Sequence, residues 1–352
     1  MSQPPRDVIE ARPPKNLVVL MWALAAASCG AWQEPPLESA SAANRGPRDH
    51  ADDGDLASLV PVGVETLIEV DLAALRKSPW TQEALIDPDE KLRERKAVAL
   101  GYDGTADVDR IVYAVTSAGS AAPTVVIAQG RFQIANVEAA FRDRWPGAAV
   151  DKWRGSTTLV SGESALGSVT ARTFCSGTLD EVHAVIDRAF GVGGGFLDDQ
   201  PGAGQGALRR ELLALARETA PGVLATVVIG ERLRARVGDT LPLPRELRQV
   251  GARLDVGQTL DLQAVGMLDN REAAAAMARR VSVLLNAWRT RLALGALGLS
   301  ALVGAVQVSA DGAAVRVHAR VGAEHRAEIS AALAAIMKAV RGPDDPRGSG
   351  SW

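Results

Sequence analysis

Apolar and polar residues alternate with a period of two in short runs, and these runs recur in the same order in both halves of the chain. This pattern most limits what the chain can fold into, because a period of two places one face of a strand in a core. Val64, Thr66, Ile68 and Val70 alternate with Glu65, Leu67 and Glu69, which predicts the first strand. Asp71 then opens a short helix closed by Ser78-Pro79. Residues 107–115 and 124–129 read as a hairpin joined by a loop of Gly, Ser, Ala and Pro. Ile134, Val137, Phe141 and Trp145 fall at steps of three and four, the buried stripe of a helix that Pro146-Gly147 ends. Residues 157–160 and 168–175 form a second predicted hairpin. Thr178 and Glu181 have the spacing of a capping box ahead of a helix that buries Leu179, Val182, Ile186 and Ala189.

A Gly-rich linker, residues 192–206, separates the halves. It lacks the Gly-Lys-Ser/Thr of a phosphate-cradling loop. Leu208, Leu212 and Leu215 mark a helix, and the second half then repeats the first in outline. Residues 223–229 predict a strand, 230–238 a short helix, and 250–256 with 259–267 a hairpin. Asp269 and Glu272 have capping-box spacing, and Met277, Val281, Leu284 and Trp288 form the following stripe. Residues 292–303 are a further apolar helix, too short to span a bilayer. A last hairpin, 302–309 with 313–321, turns at Asp311-Gly312, and Ile329, Leu333, Ile336 and Val340 line a final helix. The expected fold class is α+β, with two similar units of mostly antiparallel sheet and helices packed on one face. The units span 59–191 and 207–341, and 342–352 form a polar, disordered tail.

Upstream of the first unit, Arg6, Arg12 and Lys15 precede an apolar run over residues 17–27. Positive charge ahead of a short apolar core is the pattern of an export signal. The segment Ala26-Ala27-Ser28-Cys29 resembles the lipobox of bacterial lipoproteins, with Ala26 where that family usually has leucine. The resemblance implies a signal peptide over 1–28, a diacylglyceryl group on the Cys29 sulfur, and palmitate-type acyl chains that hold the mature chain to a membrane. Each buried methylene contributes about 0.8 kcal/mol to such an anchor. Gly30, in place of the aspartate of an inner-membrane retention signal, points to the outer membrane with the body facing the periplasm. The alternatives are an inner-membrane anchor, or an ordinary signal with an incidental cysteine and a secreted product. Residues 29–58, rich in Pro, Ser, Ala, Asp and Glu, read as a disordered tether. His50 lies there, in a solvated loop beside Asp49, Asp52 and Asp53. The layout over 59–340 is similar to that of uncharacterised bacterial envelope lipoproteins with duplicated α+β units, a family that implies no particular activity.

Chemistry is sparse. Lys and Arg total 39 against 42 Asp and Glu, a net charge of −3, which argues against a nucleic-acid partner. There are two cysteines, so acylation of Cys29 would leave Cys175 alone and exclude a disulfide framework. Cys175 reads as a buried, inert thiol on the alternating face of Val169, Ala171 and Thr173. The four histidines are scattered. No Gly-x-Ser-x-Gly elbow, zinc helix or calcium loop is present. The pairs Asp52-Asp53 and Asp198-Asp199 fall in loops rather than in the desolvated setting that catalytic carboxylates need. No catalytic residue, metal ligand or cofactor is nominated. His183 reads as a packed histidine at the edge of a helix stripe. The exposed feature of interest is a basic row on the last strand, Arg316, His318 and Arg320, with Val315, Val317, Ala319 and Val321 turned inward. It suits an anionic partner such as a phospholipid headgroup or an acidic protein surface. The expectation is a lipid-anchored, non-catalytic envelope protein that binds a partner, such as another envelope protein, or a ligand through its sheet faces. The alternatives are a carrier of an apolar ligand, with the helices at 271–303 covering a cavity, and an enzyme assembled from distant positions.

Overall fold

The computed structural model describes residues 56–61, 64–81, 90–116, 124–193, 222–228, 244–289 and 300–331. The expected signal segment with Cys29, the expected tether with His50, the Gly-rich run 192–206 from 194 on, the helices expected at 208–215 and 230–238, residues 292–299 and the chain beyond 331 lie outside the described residues. The first half contains β1 (Val64–Asp71), α1 (Leu72–Lys77), α2 (Glu90–Leu100), β2 (Val108–Thr116), β3 (Thr124–Gly130) and α3 (Ile134–Arg144). It continues with β4 (Ala149–Trp153), β5 (Ser156–Ser161), β6 (Ser164–Thr170), β7 (Thr173–Gly177) and α4 (Leu179–Ala189). The second half has β8 (Gly222–Val228), β9 (Leu247–Val256), β10 (Leu260–Leu268), α5 (Arg271–Arg289), α6 (Ser300–Ala305), β11 (Gln307–Asp311) and β12 (Ala314–Val321). Short 3-10 turns occupy Leu56–Leu59 and Ala323–His325.

The fold is mixed α+β, built on one antiparallel sheet of twelve strands in the order β11-β12-β10-β9-β8-β1-β2-β3-β7-β6-β5-β4. The halves meet where β1 pairs with β8, Thr66 opposite Val227 through Val70 opposite Val223. Alternation along each strand sorts side chains to two faces. On one face Leu67, Val112, Val125, Ile127, Val160, Ala165 and Cys175 pack under Val182, Val185 and Ile186 of α4 and under Leu56–Val60. On the opposite face α3 covers Ala128, Leu159, Leu166 and Phe174 through Val137 and partly buried Ile134 and Phe141. There α5 covers Leu247, Leu268 and Val315 through Ala274. Helices therefore lie on both faces of the first half, which corrects the expectation of one. The reason is that β2, β3 and β5–β7 are apolar on both sides, so each side needs a cover.

A further cluster draws on both halves. Leu75 and Trp80, from the segment after β1, pack with Val256, Leu260, Val321 and Ile329. Ser330 Oγ donates to the Trp80 carbonyl at 3.2 Å. The Trp80 indole Nε1 is buried with no partner among the described residues.

Local signals held where capping chemistry was explicit. The Asp71 carboxylate accepts the Ala74 N–H at 2.7 Å. Thr178 and Glu181 form the reciprocal capping box of α4. Others shifted. The cap of α5 is Asn270, whose Oδ1 accepts the Ala273 N–H at 2.9 Å. Asp269 is instead held by the Arg248 fork at 2.6 and 3.0 Å. The α5 stripe is partly as expected: Met277 packs on the core beside Ala274, but Leu285 is buried and Leu284 is 48% exposed. The run 168–175 is broken at Ala171-Arg172 into β6 and β7, and Ala171 is exposed rather than on the face of Cys175. The unexpected strand β4 precedes β5 through Arg154-Gly155, both in the left-handed region at φ 50° and 85°. A two-residue hairpin turn requires this conformation, and arginine gives no sequence cue for it.

Truncating Trp80 to Ala should cost about 3–5 kcal/mol in denaturant unfolding, because it empties a cluster shared by both halves. Trp80→Phe should cost far less, since the indole N–H has no bond to lose. Equal losses for the two variants would show that the site does not depend on ring packing.

Candidate functional site

The basic row sits where one sheet face changes from core to surface. The register that carries buried Leu67, Ala114 and Val125 beneath α4 continues through Thr226, Gly251 and Val265 to Arg316. Arg316, His318 and Arg320 thus lie on the α4 face, but at the far end of the sheet, where none of the described helices covers them. Their side chains are 43%, 46% and 66% exposed. Sequence spacing placed these three together correctly. It missed the acids that antiparallel pairing brings to them. Asp261 on β10 meets His318, Nε2 to Oδ1 at 3.1 Å, and Arg320, Nε to Oδ2 at 3.9 Å. Asp311 lies 3.6 Å from Arg316. The patch carries both signs of charge, and only knowledge of strand register could have revealed it.

A second charged constellation holds the opposite end of the first half together. Asp109 on β2 faces three guanidinium groups: Arg76 at 2.7 Å, Arg131 at 3.5 Å and Arg172 at 3.4 Å. Arg76 also donates to the carbonyls of Thr105 and Val108, Arg131 to that of Ala106, and Arg172 to that of Gly130. Donors spent on backbone carbonyls tie α1, the start of β2, the end of β3 and the β6–β7 turn into one knot. This is structural work.

The third constellation lies between edge strand β4 and α4. His183 stacks on Trp153, with ring centroids 4.1 Å apart and an 8° interplanar angle. Trp153 Nε1 donates to Asp187 Oδ1 at 2.8 Å, and Arg154 pairs with the same carboxylate. The His183 Nε2 is 3.2 Å from Asp151 Oδ2, within charge attraction but outside hydrogen-bond geometry. Burial lowers the His183 pKa, outweighing the pull of Asp151, Asp180 and Asp187 in the other direction. His183 is the packed histidine that the stripe predicts.

Cys175 is fully buried, its Sγ 3.7 Å from the Gly167 carbonyl. Desolvation pushes its pKa up to about 12, so it stays a neutral thiol. Gly167 gives the sulfur and α4 their room: a Cβ there would come within 2.6 Å of Val182 and 3.3 Å of the sulfur. Among the described residues no three His, Cys, Asp or Glu side chains converge to hold a metal ion.

Two outcomes follow. Cys175 should resist thiol reagents in the native protein and react once the chain is unfolded; rapid native labelling would show that α4 opens. The depressed His183 pKa means that the unfolded chain takes up its proton first. The stabilisation from neutral His183 is therefore complete above about pH 6.5 and declines as pH falls below it. Melting temperatures taken from neutral to about pH 5 should fall more steeply for the wild type than for His183→Phe, which keeps the stack and cannot titrate. Parallel curves would assign the acid sensitivity elsewhere.

No family model matches the chain, and no curated protein matches it. Among solved structures it is similar to TP0453. Crystal form I aligns at 14% identity and a TM-score of 0.46, covering 79% of this chain and 97% of that one. Crystal form III aligns at 14% identity and 0.47, over 78% and 98%. Crystal form IV aligns at 12% identity and 0.45, over 81% and 96%.

Proposed function

We propose that this protein is a lipid-anchored, non-catalytic component of a bacterial cell envelope that binds a partner protein through the exposed part of its sheet. The observation that carries the reading is the apolar run 17–27 ending in Ala26-Ala27-Ser28-Cys29, with basic residues ahead of it and a Pro/Ser-rich tether behind it. Acyl chains on Cys29 attach the body to a membrane, and the tether gives it reach. Gly30 favours the outer membrane, with the body in the periplasm. The partner surface is centred on Arg316, His318 and Arg320. Its interleaved acids, Asp261 and Asp311, suit a protein surface offering both signs of charge better than a uniform polyanion.

We also infer that the two halves are copies of one unit. Outward from the β1–β8 seam the strand order is β1-β2-β3-β7-β6 on one side and β8-β9-β10-β12-β11 on the other. In each half a helix follows the third strand, α3 after β3 and α5 after β10. The first half adds the outer pair β5 and β4.

The test is fractionation of the native host expressing Cys29→Ala. The wild type should stay with salt-washed membranes until detergent is added, and the variant should be released by the wash. A variant that resists washing, or a wild-type chain whose intact mass still begins at Met1, would overturn the anchor.

A further inference from the structure

The sheet is not the only surface that exposes charge. The helix α5 buries Ala274 against the sheet and also Leu285, and leaves Val283 67% and Leu284 48% exposed. Isolated exposed aliphatic residues are ordinary. Here they are flanked by charge of a single sign. Arg279 and Arg280 are exposed one turn earlier, and Arg271 and Arg289 stand at the two ends. The only acid in the helix is Glu272, in its first turn. Nearby acids are engaged elsewhere, Asp269 by Arg248 and Asp311 by Arg316. The whole chain is net negative, so this is a local concentration of positive charge. Arg289 donates to the carbonyls of Val303, Gly304 and Val306 and so serves to hold α6. Arg279 and Arg280 are left to face outward.

We propose that the outer face of α5 docks on a bilayer surface rich in anionic lipid headgroups. Charge complementarity selects this occupant. Long arginine stems can lie beside Val283 and Leu284 while their guanidinium groups reach phosphates, the geometry of an interfacial helix. No described helix is long and apolar enough to cross a membrane. The contact is weak and salt-sensitive, because attraction to a charged surface fades within a Debye length of about 10 Å at 0.1 M salt. The proposal rests on the envelope reading for which membrane is at hand; the contact itself does not need Cys29.

The experiment uses the full chain carrying Cys29→Ala, so that no acyl chain contributes. Co-sedimentation with phosphatidylcholine–phosphatidylglycerol vesicles should exceed that with pure phosphatidylcholine and should fall at high salt. Arg279→Glu with Arg280→Glu should lower it about tenfold or more. Val283→Ser with Leu284→Ser should lower it while leaving thermal unfolding unchanged, since both side chains are exposed. A fluorophore on Val283→Cys should shift to the blue on anionic vesicles, whereas one on Gln258→Cys, in the exposed β9–β10 turn, should not; buried Cys175 leaves the label specific. Equal binding by the charge-reversed variant, equal binding to neutral vesicles, or a silent label at 283 would overturn the proposal. So would a dimer in solution that Val283→Ser with Leu284→Ser dissolves, because it would assign the face to a second copy. These outcomes are separate from the fractionation of Cys29→Ala, so either reading can fail alone.

Discussion

The ladder between β1 and β8 turns seven strands on one side and five on the other into a single sheet. Each of those two strands would otherwise be an open edge, with a row of unpaired backbone groups. Much else is arranged around this seam. β1 is gripped on its other side by β2, where Glu69 pairs with Arg110 across the ladder. The chain leaves β1 directly into α1 and Trp80, which pack against strands of the second half. The hydrogen bond from Ser330 to the Trp80 carbonyl then ties the far end of the described chain to the same place. Backbone pairing sets the join, and apolar burial beside it makes it costly to open.

Continuity of the sheet explains why its two faces differ along their length. The α4 face is closed in the first half by four apolar side chains of one helix and by the segment before β1. Followed along the same register it becomes a mixed-charge surface at β12. The charged groups around Asp109 are tied locally. The Asp109 knot spends arginine donors on backbone carbonyls, and such hydrogen bonds are more dependable than exposed ion pairs worth about 0–1 kcal/mol each. The result is a body whose ends are fastened and whose β12 face and α5 stay accessible.

Much of this was legible from residue order alone. The strands at 64–71, 108–116, 124–130 and 314–321 follow from alternation, and α3 and α4 from stripes with explicit stops and caps. What failed did so for identifiable reasons. Strand β4 was hidden because its turn uses Arg154 in a conformation normally signalled by glycine or asparagine, here supported by the Arg154–Asp187 pair. The α5 stripe was right at Met277 but took Leu284 for the buried Leu285, and it left out Ala274, whose small side chain gives little periodic signal. Asp269 looked like a cap because its competitor is adjacent, and Arg248, the residue that claims it, lies 21 positions away. The acids beside the basic row were invisible because register between non-adjacent strands is a property of the sheet, not of either strand.

The seat of Cys175 has a consequence for maturation. On the export and Cys29 acylation proposed above, Cys175 would be the one remaining thiol in an oxidising space, where a free thiol risks crosslinking to itself or to bystanders. Here the sulfur is sealed between Gly167 and the first turn of α4, and a larger residue in place of the glycine would push on Val182 and Ile186 of that helix. Once folded, Cys175 is redox-silent, and the window for its misoxidation closes when α4 seats.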